Sequence, residues 1–164
     1  MSKQNSCRVF GERLFDRLTI TINMSDATWQ YVTLSSGDSS NPGISKARFF
    51  NALPMAIAFP TNHVQVSLVS ITTKNAGSQV AFVNSDCVIG SVMVGSEYTN
   101  SLRRFVLGSG LSTYEPFNTQ WYPAVTTGGT ISFINITVTD VDGKDITTFT
   151  DDTFVTLAFR SVEK

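Results

Sequence analysis

The sequence predicts an all-β fold, an antiparallel β-sandwich in a single domain, and three observations predict it. Charged residues make up 15% of the 164-residue chain, against about 25% in an average globular domain. Thr, Ser, Val, Ile and Phe stand in their place, and β-branched and aromatic side chains suit pleated, half-buried surfaces. Apolar and polar residues alternate in several short runs, the period of a strand with one buried face. Turn-forming clusters recur at roughly the 8–12-residue spacing of sandwiches and barrels. No amphipathic helix longer than two turns, internal repeat or heptad is visible. A chain of 164 residues fits one core and is long enough to fold without disulfide or metal staples.

The elements follow in order. Residues 1–10 lack a period and Gly11 to Arg17 reads as a short helical turn or an approach to the first strand, so that 1–17 is expected to be a flexible lead-in to the domain. Leu18 to Met24 alternates strictly and predicts the first strand, and Trp29 to Leu34 the second. Ser35 to Ser45 holds nearly every turn-forming residue and is a long loop, a place where function is often carried. Ala47 to Phe50 predicts a short edge strand, and Met55 to Phe59 an extended segment between two prolines. In the run from Val64 the apolar phase moves from Val66 and Leu68 to Val69 and Ile71, which predicts a bulge. Gln79 to Asn84, Cys87 to Val94 and Arg103 to Leu107 are further strands, with Gly90 marking a bend or a close backbone approach in the second. Thr130 to Thr139 is the strongest strand and also shifts phase, after Phe133. Asp142-Gly143 then carries a hairpin signal. Thr153 to Arg160 is the last strand. Eight or nine short strands fit a sandwich, most simply an eight-stranded jelly roll. An immunoglobulin-like sandwich needs only about 100 residues and ranks second.

Chemistry is sparse in this chain. His63 is the only histidine, and a Ser or Cys nucleophile normally needs a histidine base held by a third group. No paired carboxylates are fixed across a cleft, so the reading is not an enzyme. Cys7 and Cys87 form no metal-ligand or redox motif, and Cys87 reads as a core thiol with no disulfide to Cys7. Asp140 to Asp145 resembles the start of a calcium loop, but Gly143 falls at the fourth position where the sixth is required. A polar turn is the reading, with no metal and no cofactor expected. The glycines of Gly108-Ser109-Gly110 and Gly128-Gly129 precede strand-like runs, so they are turns and not phosphate cradles. The net charge is −1 and Arg103-Arg104 is isolated, which argues against direct nucleic-acid binding. No run is apolar enough to insert in a membrane, and polar residues follow Met1, so synthesis in a cytoplasm with reduced thiols is expected.

Tyr98, Tyr114, Phe117, Trp121 and Tyr122 lie in Pro- or Gly-rich stretches of poor period. They are the candidate interface residues, since stiff loop-borne aromatics anchor protein contacts. The alternative is that they cap the open end of the sandwich.

Phe50-Asn51-Ala52-Leu53-Pro54 through Val66 to Ile71, and Ile134 to Val138 through Asp142-Gly143, give the chain its closest likeness. With its Thr/Val/Ile/Phe-rich strands, Ser/Gly/Pro-rich loops and a last strand running almost to Lys164, it resembles the small single jelly-roll proteins of virus particles. The resemblance implies a structural subunit of the virion, made in the host cytoplasm. Its partners would be copies of itself, as a homo-oligomer, and other capsid proteins. The first 17 residues mix Lys3, Arg8, Arg13 and Arg17 with Glu12 and Asp16. They are not the basic arm of a genome-packaging shell protein, so a minor capsid, cement, vertex or spike component fits better. The alternative from another class is a ligand- or carbohydrate-binding β-sandwich module.

Overall fold

The computed structural model describes residues 29–38, 45–90, 92–95 and 97–162. The lead-in over 1–17 and the run Leu18 to Met24 fall outside the described residues, as does most of the long loop after Leu34. In chain order the strands are β1 (Trp29–Ser35), β2 (Arg48–Ala58), β3 (Val64–Asn75), β4 (Gln79–Ser85), β5 (Val92–Val94), β6 (Glu97–Thr99), β7 (Ser101–Leu107), β8 (Gly110–Tyr114), β9 (Tyr122–Pro123), β10 (Thr130–Thr139) and β11 (Phe154–Ser161). A single 3-10 turn, Ser36–Asp38, is the only helical element among the described residues.

Two antiparallel sheets pack as a β-sandwich. The first has the order β1-β11-β3-β8, with β9 laid along the same side of β3 as β8. The second has the order β2-β10-β4-β7. A small hairpin, β5-β6, stands apart. The alternation seen in the sequence assigns the faces. Val32 and Leu34 of β1, Val155, Leu157 and Phe159 of β11, and Val66, Leu68 and Ile71 of β3 are buried from one sheet. Phe49, Ala81, Val83, Phe105, Ile134 and Ile136 are buried from the other, and all join one contiguous core. Phe59 against Phe159 (ring centroids 6.2 Å) and Phe105 against Tyr114 (5.1 Å) join rings from the two layers.

Both phase shifts read in the sequence are irregularities of pairing. Ser70 pairs with Thr156 and Leu68 with Leu157, so Val69 is the extra residue of a bulge in β3. In β10, Ile131 pairs with Ile57 and Phe133 with Ala52. Leu53 to Ala56 therefore stand opposite Ser132 alone. The expected edge strand at Ala47 to Phe50 and the extended segment to Phe59 are fused by this bulge into one strand, which forms the edge of its sheet.

Two expectations need correction. Cys87 to Val94 is not one strand. The chain leaves β4, bridges once at Val88 to Ala124, turns at Gly90 (φ +115) and only then enters β5. No atom beyond Gly90's chain neighbours comes within 4 Å of a Cβ placed there, so the bend and not a close approach accounts for it. Asp142-Gly143 does not join two long strands in a hairpin. Gly143 (φ +81) closes a tight turn with one bridge, Thr139 to Asp145. The chain then crosses between sheets, burying Ile146 and Phe149 on the way to β11. The described strand segments also outnumber the eight or nine expected. The excess is the β5-β6 hairpin, inserted between β4 and β7, and the division of one sheet edge between β8 and β9.

Candidate functional site

The segment from β8 to β9 carries four of the five aromatic residues singled out in the sequence. Gly110 (φ +88) opens β8 after the chain crosses from β7 in the other sheet. β8 pairs with Ile71 to Asn75 of β3, and β9 with Gln65 and Val66. Among the described residues no strand covers that side of β3 from Ser67 to Ser70, and residues 115–121 span the interval.

Register decides what each aromatic does. Tyr114 lies opposite Ile71 and Tyr122 opposite Val66, both core positions, so the two tyrosines point inward. Both are partly buried and pack against the core, and the Tyr114 ring stacks on Phe105 at an interplanar angle of 29°. Burial pushes the Tyr122 phenol above its ordinary pKa, with the Arg103 charge pulling the other way. Trp121, one residue before Tyr122, faces the opposite way. It meets Trp29 edge-on at 4.9 Å, and the Arg160 guanidinium lies 4.2 Å from its ring centroid and 5.6 Å from that of Trp29. Arg160 Nε and Nη2 both donate to Gln65 Oε1, at 2.8 and 2.7 Å. Trp29, Arg160 and Gln65 are register partners across β1, β11 and β3. Phe117, in the middle of the spanning segment, is 99% exposed. Tyr98 lies in β6 opposite Met93, and its side chain is outside the described residues.

Four of the five residues thus divide. Two cap the core, one joins an outward Trp–Arg–Trp cluster, and one stands in water. No known protein-family model matches this chain, and no curated protein is similar to it in sequence. Trp29, Gln65 and Arg160 escaped the sequence reading because only the pairing register of distant strands brings them to Trp121.

Groups with chemical potential are placed quietly. His63 is exposed between β2 and β3. Cys87 is buried with its Sγ 3.0 Å from Ser85 Oγ, and burial pushes its thiol up to about 12. It is therefore protonated at neutral pH and a poor nucleophile. Asp140 Oδ1 accepts from the backbone N–H of Asp142 and of Lys144, so this carboxylate organises its own turn. Among the described residues no three His, Cys, Asp or Glu side chains group closely enough to hold a metal ion. What this end of the sandwich presents outward is a fixed cation between indole rings and a solvent-exposed phenyl ring.

Proposed function

We propose that this chain is a structural assembly subunit built on a jelly roll, of the minor capsid, cement, vertex or spike type, acting through protein–protein contacts. The observation that carries the reading is the order of strand pairing. Set the β5-β6 hairpin aside, count β8 and β9 as one edge, and eight strands remain among the described residues. They pair first with last (β1 with β11), second with seventh (β2 with β10), third with sixth (β3 with β8) and fourth with fifth (β4 with β7). A long antiparallel hairpin rolled into two four-stranded sheets has this order, the jelly-roll arrangement that viral capsid domains share with lectin domains and cupins.

Three further points support assembly. A phenyl ring as exposed as Phe117 contributes nothing to folding by burial, and its neighbour Pro116 stiffens the segment, which lowers the entropy lost on docking. Three of the four described sheet edges are blunted against uncontrolled pairing. β2 carries Pro54 and a four-residue bulge, β7 carries Arg103 and Arg104, and the β8/β9 edge is short and divided. These are devices that prevent edge-to-edge aggregation and leave loops to make specific contacts. The net charge of −1 matches protein partners better than a nucleic-acid backbone. The proposed setting is the virion, after synthesis in the host cytoplasm, with copies of this chain or other capsid proteins as partners.

Mass photometry of the full chain tests the reading. Closed homo-oligomers are expected as discrete integer multiples of the chain mass. A single monomer peak, together with no retention on assembled particles of any jelly-roll capsid partner co-expressed with it, contradicts it.

A further inference from the structure

A polar groove of about 560 Å³ lies on the outer face of the β2-β10-β4-β7 sheet, within the size range of ligand sites. Thr137 and Thr139, alternate residues of β10, form its floor beside Asn84 of β4. One wall is Thr99 and Asn100, where β6 runs into β7, and the other is the turn Asp142 to Lys144. The two walls meet. Gly95, in the turn of the β5-β6 hairpin, lies so close to Asp142 that a Cβ placed on it would sit 2.5 Å from the Asp142 carbonyl carbon. The inserted hairpin thus crosses the outer face and rests on the far turn.

Two polar atoms in this lining are unserved. Asn84 is only 6% exposed; its Nδ2 donates to Thr139 Oγ1 at 3.1 Å, and its Oδ1 has no partner. Turning the amide over does not help, because it then leaves Nδ2 as the unserved end. Thr99 Oγ1 is likewise buried without a partner. Buried polar groups are normally hydrogen-bonded, and an orphan calls for an explanation. The charged side chains of the lining, Arg48 and Lys144 against Asp86 and Asp142, sum to zero. Arg48 Nη2 also pairs with Asp145 Oδ1 at 2.9 Å, and Asp86 Oδ1 accepts from the Asn135 backbone N–H at 2.9 Å. A phosphate would need unopposed cations and a metal ion would need grouped acids. Between these charges the groove offers the hydroxyl and amide groups of Asn84, Thr99, Asn100, Asn135, Thr137 and Thr139.

We infer that this groove binds a neutral polyhydroxylated ligand, a short glycan, with Asn84 and Thr99 as its buried hydrogen-bonding partners. Sugar hydroxyls both donate and accept, so one ring can serve the Asn84 amide in either orientation and the Thr99 hydroxyl together. No aromatic residue is among the described lining, so recognition is by hydrogen bonds without a stacking platform, and affinity falls in the roughly millimolar range. The groove is built by different residues from those of the 115–121 segment, so the inference stands or falls independently of self-assembly.

The test is nitrogen–proton NMR of the full chain titrated with methyl glycosides of glucose, galactose, mannose and N-acetylglucosamine, and with their β-linked dimers. Inorganic phosphate is titrated in parallel. The expected result is saturable shifts for at least one glycoside at the Asn84 side-chain amide and the backbone amides of Thr99, Asn100 and Lys144. Thr137→Tyr fills the groove from a half-exposed floor position and should weaken binding at least about tenfold with the fold's spectrum retained. Asn84→Ala should also abolish the shifts, and Thr137→Tyr covers the case in which that variant fails to fold. Four results would each overturn the inference. They are no saturable shift up to about 100 mM of any glycoside, shifts that map elsewhere, shifts that survive in Thr137→Tyr, and phosphate binding in place of the glycosides.

Discussion

Cys87 shows how a single side chain reports on the core. Removal from water penalises the thiolate, and the nearby Asp86 charge adds to that, while the Ser85 hydroxyl partly offsets it. The pKa rises from its ordinary value near 9 to about 12. The folded chain therefore holds this proton more tightly than the unfolded chain does. The resulting stability is fully present below about pH 9 and is lost as pH rises from there towards about 12, at about 1.4 kcal/mol per pH unit. Urea unfolding of wild type and Cys87→Ala at pH 8 and pH 10.5 should show it. The wild type is expected to lose more stability between the two than the variant, and equal losses would place the thiol in water. The core role of Cys87 was legible, because the residue heads an apolar run. The split among the aromatics was not. Tyr114, Trp121 and Tyr122 share one irregular stretch, and only their register against Ile71 and Val66 turns two inward and one outward. The orphan amide of Asn84 was equally hidden, since its surroundings come from four separate strands and a turn.

Strand elements were read well where the local pattern fixes them and poorly where a partner does. The breaks in apolar phase at Val69 and after Phe133 are local, because one extra residue flips every later side chain to the other face, and both mark real irregularities. The hairpin signal at Asp142-Gly143 gave the turn but not the path of the chain beyond it. The partners of β11 are β1 and β3 in the other sheet, and the buried Ile146 and Phe149 draw the chain across. The β5-β6 hairpin went unseen because its strands have three residues each and the run from Cys87 looked continuous. Its seat on Asp142 gives a prediction. Gly95 (φ +59) occupies a left-handed conformation with no room for a methyl group, so Gly95→Ala should lift the hairpin from the turn. Hydrogen exchange of the β5 and β6 amides should then accelerate at least about tenfold, with exchange in β10 and β11 unchanged. Unchanged protection of the hairpin would mean that this contact does not hold it.

At the scale of the molecule, composition and alternation sufficed for an all-β sandwich, because both are properties of half-buried strands in general. Pairing order was beyond them. Joining the first described strand to the last depends on contacts between residues far apart in the chain, such as Trp29 with Arg160, and no local pattern encodes such a choice. That order, with Phe117 left in water, carries the assembly reading. Sedimentation velocity of the full chain from about 1 to 100 µM, for wild type, Phe117→Ser and Tyr114→Ala, tests it most directly. The account predicts that wild type forms a discrete oligomer and that Phe117→Ser shifts it towards monomer with an unchanged melting temperature. Tyr114→Ala should instead lower the melting temperature, because its ring packs on Phe105 within the fold. A wild type that stays monomeric across the whole range, sedimenting as Phe117→Ser does, would contradict the claim that this chain is a self-assembling subunit.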